Sequence, residues 1–279
     1  MVDSRTESPL ESQEEIYLLD ESLSFKSLYQ RASIQQWDAD KDIDWSLGPQ
    51  VDESVKESWV KIINVFYSLE LVGLSTLNNM LGKTARKFKD INLRIYLSAQ
   101  SIDEARHVYV LRKYMGLLGV TPSTTVQNVI ERLGNVASKG VYTVENFLFS
   151  TLFSENFASM YLRMCIEQPI DPLAREIFKK ILQDEGRHVK FQNIIMPYVV
   201  ENASYMSKLV MKTVHLALMN VVKIGTKSIK KDSENIGINS EEFLNRLVNQ
   251  LDRQYQKIGI AKMVDPQKIK KIIGKTLFN

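Results

Sequence analysis

Two five-residue motifs in the sequence are nearly identical and could bind metal ions. One runs from Asp103 to His107 and the other from Asp184 to His188, and each has a Glu and a His three residues apart. On a helix this spacing places both side chains on one face, about one turn apart, so that they can bind the same ion. The chain has only 3 histidines, and two of them belong to these motifs. The repeat predicts two halves of one metal site.

A single Glu lies inside an apolar helical segment upstream of each motif. Glu70 is separated from Asp103 by 32 residues, and Glu155 from Asp184 by 28. A buried Glu is costly unless a positive charge compensates it. In ferritin-like bundles, a Glu from each of two helices joins a Glu-x-x-His pair from each of the other two. We expect Glu70 and Glu155 to bridge two ions. The predicted ligands are Glu70, Glu104, His107, Glu155, Glu185 and His188.

The ligand types restrict the metal. Four carboxylates with two neutral imidazoles carry a formal charge of −4, which two divalent cations would cancel. Mixed oxygen and nitrogen ligands without thiolate suit iron or manganese better than structural zinc. Two iron ions are the first choice because a pair of Fe(II) ions can reduce dioxygen. A pair of manganese ions, or one ion of each metal, is also compatible with the ligand types.

Residues beside the ligands are expected to support them. We predict that Asp103 bonds the outer N–H of His188 and that Asp184 bonds that of His107, which would orient both rings. Each motif also has an arginine one position before its histidine, and these arginines are expected to pair with nearby carboxylates rather than contact substrate.

Apolar periodicity predicts an all-α, ferritin-like four-helix bundle core with additional flanking helices. The core consists of two hairpins: Val51 to Leu81 with Phe88 to Leu118, broken at Gly82 to Lys87, and Val141 to Glu167 with Asp171 to Val200. Asp171 is predicted to cap the last of these, with Pro172 at its first position. The flanking helices are predicted at Glu21 to Trp37, Val126 to Leu133, Ala203 to Ile229, Ser240 to Ile258 and from Asp265 onward.

The expected organisation is a flexible N-terminal arm over residues 1–20 and a single helical domain over 21–279. Within that domain, 51–200 would form the metal-binding core and 203–279 the C-terminal helices. The acidic stretch from Trp37 to Trp45 is predicted to be a surface strap anchored by its tryptophans, because it lacks the pattern of a calcium loop. His215, outside the repeats, is expected to be structural.

Composition is ordinary for a soluble globular protein, with 44% hydrophobic and 25% charged residues. The single cysteine, Cys165, and the polar first twenty residues favour a cytoplasmic location, and no run of about twenty apolar residues predicts a membrane span. A net charge of +3 does not suggest nucleic acid as a partner. Residues 223–279 hold 12 Lys+Arg against 6 Asp+Glu, which could dock an acidic ferredoxin or carrier protein or merely solvate helix surfaces.

The doubled pattern of Glu, about thirty residues, then Asp-Glu-x-x-His resembles the ferritin-like diiron-carboxylate oxygenases and oxidases. These include bacterial multicomponent monooxygenases, arylamine N-oxygenases and the ribonucleotide reductase small subunit. The resemblance covers Val51 to Val200 and implies a non-haem diiron monooxygenase that activates O2 to hydroxylate, N-oxygenate or desaturate a small organic substrate. Because no flavin or nicotinamide motif is present, a separate ferredoxin or flavoprotein reductase would supply electrons. The sequence leaves open whether the protein forms a homodimer.

Some positions depart from particular members of the superfamily. Leu111 stands where the similar reductase small subunit has its radical tyrosine, which argues against a radical role. Ile181 stands where the similar arylamine N-oxygenases have an additional His, which predicts a chain outside close membership of that group. By resemblance and helical spacing, Phe66, Gly73 and Ser159 would line a pocket for O2 and substrate.

Two alternatives remain from the residues alone. One is a radical-generating or ligand-binding oxidase related to the reductase small subunit. The other is an iron storage protein, which would need a many-subunit cage that the extra helices make awkward.

Overall fold

The chain folds into α-helices, in a computed structural model that describes residues 24–125, 127–128, 131–132, 143–261 and 265. None of these described residues lies in a β-strand, so the all-α prediction is confirmed. The helices are α1 Phe25–Ile34, α2 Glu53–Phe88, α3 Ile91–Leu117, α4 Val144–Glu167, α5 Pro172–Asn202, α6 Tyr205–Asn235 and α7 Ser240–Lys257.

Helix α2 is longer than the sequence predicted. It continues through Gly82 and ends only at Phe88, so the predicted break at Gly82 to Lys87 is wrong. A glycine inside a helix costs only about 1 kcal/mol relative to alanine, and the last turns of α2 bury Thr84, Ala85 and Phe88. Packing therefore outweighs the weak local signal. The chain turns instead at Lys89, which has a φ of 54° and caps α2.

The second hairpin begins and ends close to the predicted positions. Helix α4 ends at Glu167, and α5 begins at Pro172. Asp171 is the N-cap of α5, and its side chain accepts a hydrogen bond from the backbone N–H of Leu173. Its other carboxylate oxygen accepts one from Tyr114 at the end of α3. The cap of one hairpin is thus tied to the other.

The four long helices α2 to α5 form the core, and the other helices cover it. Helix α2 packs on α3 and α4 packs on α5, while α2 to α4 and α3 to α5 contacts join the hairpins. Helix α1 packs on α3 and α5, α6 packs on α2 and α4, and α7 packs mainly on α4. The predicted core of two hairpins with flanking helices is confirmed. Helix α6 runs past the predicted end at Ile229 to Asn235.

The acidic stretch from Trp37 to Trp45 crosses the outside of α3 and α5. Asp40 accepts hydrogen bonds from Tyr109 and Lys113, and Trp37 is buried. Trp45 is partly buried, packs against the core and has the Lys113 ammonium 4.1 Å from its ring centroid. The strap is therefore present and is held by both tryptophans, as predicted. The proposed arm at 1–20 and the helix from Asp265 onward lie outside the described residues, apart from Asp265 itself.

Helices α2 and α6 are long and apolar enough to cross a membrane by length and composition alone. A core helix of a water-soluble protein passes the same test, and α2 carries the buried carboxylate of Glu70 into the bundle. The absence of a membrane span stays a prediction.

Candidate metal centre

The six predicted ligands come together in the middle of the four-helix core. All are buried: the four glutamates are at most 6% exposed and both histidines 0%. Around His107, atom Nδ1 lies 3.3 Å from Glu70 Oε2 and 3.5 Å from Glu185 Oε1. These three side chains come from α3, α2 and α5.

The other half repeats this arrangement. His188 Nδ1 lies 3.5 Å from Glu104 Oε1, 3.5 Å from Glu155 Oε2 and 3.4 Å from Glu185 Oε2. The two imidazole rings are 6.1 Å apart, centroid to centroid. Two sets of side chains each have ligand atoms within 4.8 Å of one another: Glu70, Glu104 and His107, and Glu104, Glu155 and His188.

The carboxylates shared by the two halves differ from those expected. Glu104 belongs to both sets, and Glu185 directs one oxygen at each histidine. Glu70 and Glu155 each approach one histidine only. The carboxylates that lie between the two histidines are therefore those of the repeated motifs, because α3 and α5 are neighbours, and Glu104 and Glu185 rather than Glu70 and Glu155 would be the ones available to two ions.

The outer nitrogen of each histidine faces an aspartate from the opposite motif. His107 Nε2 lies 3.2 Å from Asp184 Oδ2, and His188 Nε2 lies 3.4 Å from Asp103 Oδ2. Both Nδ1 atoms therefore point toward the glutamates and both Nε2 atoms away from them. A carboxylate accepting the outer N–H fixes which nitrogen is free to bind a metal.

Two arginines hold these aspartates. Arg106 and Arg187 each bond both Asp103 and Asp184, with 3.0 Å for the cross-motif contacts. Two buried anions and two buried cations thus neutralise each other, which is the condition for burying charge at acceptable cost. The N–H of Trp37 also donates to Asp184 Oδ2 at 2.8 Å. The sequence could not indicate this bond, because 147 residues separate its partners.

The glutamate cluster favours a cation. Burial and the neighbouring carboxylates raise the pKa of Glu104 well above its usual value, and burial with Glu155 raises the pKa of Glu185 to about 8. Burial alone would lower the pKa of His107 and His188, but bonds and charges of the surrounding carboxylates raise it. Without metal the protein therefore holds protons here, and cations can replace them.

Unsatisfied atoms at the centre also fit a metal pair. Glu185 Oε2 and His188 Nδ1 are buried and make no hydrogen bond within the described part of the chain. Buried polar atoms in native proteins are normally paired. Here they are lone-pair donors of the types that iron and manganese bind, directed at a shared space.

The three predicted pocket residues lie near the centre in different environments. Phe66 lines a small apolar cleft between α2, α4 and α6, together with Ile62, Val65, Leu69, Phe157, Tyr161 and Ile229. At Gly73, an added Cβ would lie 3.4 Å from Glu104 Oε2, so the glycine accommodates a ligand rather than open space. The Ser159 hydroxyl is buried and unpaired among the described residues.

His215 lies away from this centre, between aromatic rings of α4 and α7. Its Nδ1 pairs with the Tyr255 hydroxyl at 3.0 Å, and burial lowers its pKa to about 4. It belongs to neither set of candidate metal ligands.

The buried carboxylate and histidine cluster within paired helical hairpins defines the class as ferritin-like proteins with a candidate dinuclear metal site. Residues 49–232, which include all six predicted ligands, match the family model described as "P-aminobenzoate N-oxygenase AurF". The chain belongs to that family. The prediction from Ile181 that it lies outside was wrong, because one substituted position does not outweigh a pattern that extends over more than half the chain.

Solved structures support the same fold. A protein with aldehyde deformylating oxidase activity from Synechococcus is 16% identical, with a TM-score of 0.65 over 78% of this chain and 96% of its own. An R2-like ligand-binding oxidase reconstituted with a Mn/Fe cofactor is 15% identical, with a TM-score of 0.66 over 88% of this chain and 96% of its own. No curated protein matched the sequence. Family and fold together support an oxidoreductase of the diiron oxidase or oxygenase type.

Proposed function

We propose that this protein is a dimetal monooxygenase that uses O2 to oxidise a small organic substrate, and that N-oxygenation of an arylamine is the reaction to test first. The observation that carries the proposal is the convergence of six buried ligand-type side chains, three from each hairpin of a duplicated core. Family membership favours nitrogen oxidation over hydroxylation or desaturation.

Glu70, Glu104, His107, Glu155, Glu185 and His188 would hold the two metal ions. Two iron ions, or a mixed Mn/Fe pair, would supply reduction of O2 when bound. Asp103 and Asp184 keep each imidazole oriented with Nδ1 inward. Burial alone would raise the pKa of each aspartate, but the facing histidine, and after it the neighbouring arginines, hold that pKa below its usual value. The protein thereby positions the ligands before metal arrives.

The apolar cleft beside Phe66 supports an apolar or aromatic substrate. Phe66 lies one turn before Glu70, and its ring packs edge-on against Tyr161 at a centroid distance of 5.3 Å. The cleft has only apolar or aromatic side chains around it. The cleft has a volume of only about 10 Å³, roughly that of one water molecule, so an aromatic ring would enter only if these side chains move apart.

The reaction requires an electron source. Inserting one oxygen atom into an amine and releasing the other as water consumes two electrons and two protons. No flavin or nicotinamide motif appears in the sequence, so a ferredoxin or flavoprotein reductase is the proposed donor. A cytoplasmic location fits this partner.

The direct test is a single-turnover reaction. Protein reconstituted with Fe(II) and chemically reduced would be mixed with ¹⁸O2 and a set of arylamines that includes p-aminobenzoate, and products would be identified by mass spectrometry. The proposal predicts an oxidised amine carrying ¹⁸O. Oxygen consumption without labelled product, accompanied by a stable tyrosyl radical signal, would instead favour the radical or ligand-binding oxidase.

A further inference from the structure

One end of the centre contains three buried polar side chains, each with at least one polar atom that lacks a partner among the described residues. Both amide atoms of Gln192 are unpaired, as are Gln100 Oε1 and the Tyr96 hydroxyl. All three side chains are at most 1% exposed. Leaving such groups buried without a hydrogen bond is unfavourable, so a partner of suitable size is expected.

These side chains gather at the Glu155 and His188 half. Gln100 donates its Nε2–H to Glu155 Oε1 at 3.3 Å. Gln192 lies one turn beyond His188 on α5. The Tyr96 ring packs on Phe191, the neighbour of Gln192, with ring centroids 5.0 Å apart.

The duplication provides an internal comparison. Tyr96, Gln100 and Gln192 correspond in the repeat to Ile177, Ile181 and Leu111, which are all buried. The half that contains His107 therefore has apolar side chains where the half that contains His188 has polar ones. Isoleucine has no polar hydrogen, so Ile181 cannot donate a hydrogen bond to Glu70 as Gln100 does to Glu155.

A second difference lies behind the histidines. Asp184, the partner of His107, also accepts the N–H of Trp37. Among the bonds of the described residues, Asp103 receives none from a tryptophan. The additional donor draws charge from Asp184 and leaves less for His107, so His107 becomes the weaker ligand. Gln100 is also a donor, but its bond to Glu155 is longer than the Trp37 bond, 3.3 Å against 2.8 Å, so it draws less charge and acts mainly by holding the carboxylate in place. Both differences therefore favour the half that contains His188.

We propose that Tyr96, Gln100 and Gln192 form an internal water pocket behind Glu155 and His188, and that it makes this half the tighter of the two metal positions. The inference rests on the proposed metal pair, and it states which of the two positions binds its metal ion more tightly. Water is small and both donates and accepts, so it can satisfy an amide and a hydroxyl together. The water fixes Gln100, which is a positioning residue that holds Glu155 ready for metal. Such supporting bonds change metal affinity by about 10- to 100-fold.

Titration of the metal-free protein with Mn(II), monitored by calorimetry and electron paramagnetic resonance, tests whether one metal position binds more tightly than the other. The wild type should bind in two steps, with dissociation constants about 10- to 100-fold apart. Gln100→Leu should raise the lower constant by about tenfold or more and leave the higher one unchanged. The matched control, Ile181→Leu, changes the corresponding residue of the other half and should leave both unchanged.

Two equal constants in the wild type would overturn the inference and leave the proposed function standing, as would an unaltered separation in Gln100→Leu. Binding of fewer than one Mn(II) per chain would overturn both. Circular dichroism of each variant shows whether it is folded. A second variant, Gln192→Leu, replaces the amide with leucine, the residue found at the corresponding position 111 of the other half.

A crystal structure of the Mn-loaded protein tests the water pocket itself. Ordered solvent should lie within hydrogen-bonding distance of Gln192, Gln100 and the Tyr96 hydroxyl, and it should be absent in Gln192→Leu. A direct bond between the two glutamine amides with no solvent between them would contradict the proposal.

Discussion

At the scale of single residues, the centre is explained by compensation of buried charge. Four glutamates at most 6% exposed could not stay ionised together without nearby cations. The Asp103, Asp184, Arg106 and Arg187 group is already neutral by itself. The remaining negative charge belongs to the four glutamates, which is the charge that two divalent ions would cancel.

Removing one ligand tests this directly. Glu155→Ala and His188→Ala should each lose metal from the centre and abolish the O2-dependent absorption changes of the reduced protein, because one position loses a ligand. Metal analysis and stopped-flow spectroscopy measure both effects. His215→Gln, which changes the one histidine outside the repeats, is the control and should retain metal. Unchanged spectra in either ligand variant would count against the assignment.

The aspartates behind the histidines permit a milder test. Asp103→Asn keeps the size of the side chain but loses the negative charge that orients His188. Metal affinity should fall by about 10- to 100-fold, with the same direction for Asp184→Asn and His107. Competition with a chelator of known affinity measures the change, and an affinity equal to wild type would contradict this role.

The residue types and spacing were sufficient to predict all six converging side chains. Glu-x-x-His is a local pattern, and helix geometry converts it into a shared face. Trp37 and Gln100 could not be predicted in the same way, since their partners lie 147 and 55 residues away along the chain. Their contacts depend on how the helices pack.

At the scale of elements, capping signals and packing decided the boundaries to different extents. Asp171 and Pro172 predicted the start of α5 because a capping side chain and a fixed φ act locally. The end of α2 was predicted too early, because packing of Phe88 and its neighbours sustains the helix beyond Gly82.

This explanation of α2 predicts a stabilising substitution. Gly82→Ala should raise the free energy of unfolding by about 0.5–1 kcal/mol, since alanine loses less conformational entropy in a helix. An added Cβ would meet only the flexible end of Arg86, at 3.6 Å. Denaturant unfolding measures the effect. Gly119→Ala, at a φ of +75°, is the contrast and should destabilise. A destabilised Gly82→Ala would indicate that α2 is interrupted there.

At the scale of the whole molecule, the duplicated hairpins account for both the fold and the site. The repeat predicted a four-helix core because each hairpin has one apolar surface and one set of inward-facing carboxylates. The packing of α6 and α7 on that core could not be derived from the sequence, since an amphipathic helix shows that it packs but not where.

Metal and pH should act together on overall stability. In the metal-free protein the pKa of Glu185 is raised from 4.5 to about 8, and the pKa values of Glu104, His107 and His188 are also raised. Groups whose pKa is raised by folding stabilise the protein below their unfolded pKa, and this contribution is lost as pH rises through the folded pKa. The Tm of metal-free protein should therefore fall between about pH 5 and pH 9.

Bound metal replaces those protons, so the Tm of loaded protein should vary less over the same range, and the difference should widen with pH. Scanning fluorimetry with and without chelator measures it. Asp103 and Asp184 have lowered pKa values, so they change the stability with pH only below about pH 4, outside this range. A metal-free Tm that rises from pH 5 to pH 9 would be inconsistent with protons occupying the centre.

Anomalous X-ray diffraction from crystals of the iron-reconstituted protein tests the central claim most directly. The account predicts two iron peaks per chain, one beside His107 and Glu70 and one beside His188 and Glu155, with Glu104 and Glu185 between them. Crystals with no iron peak at these side chains, or with iron only elsewhere, would contradict it.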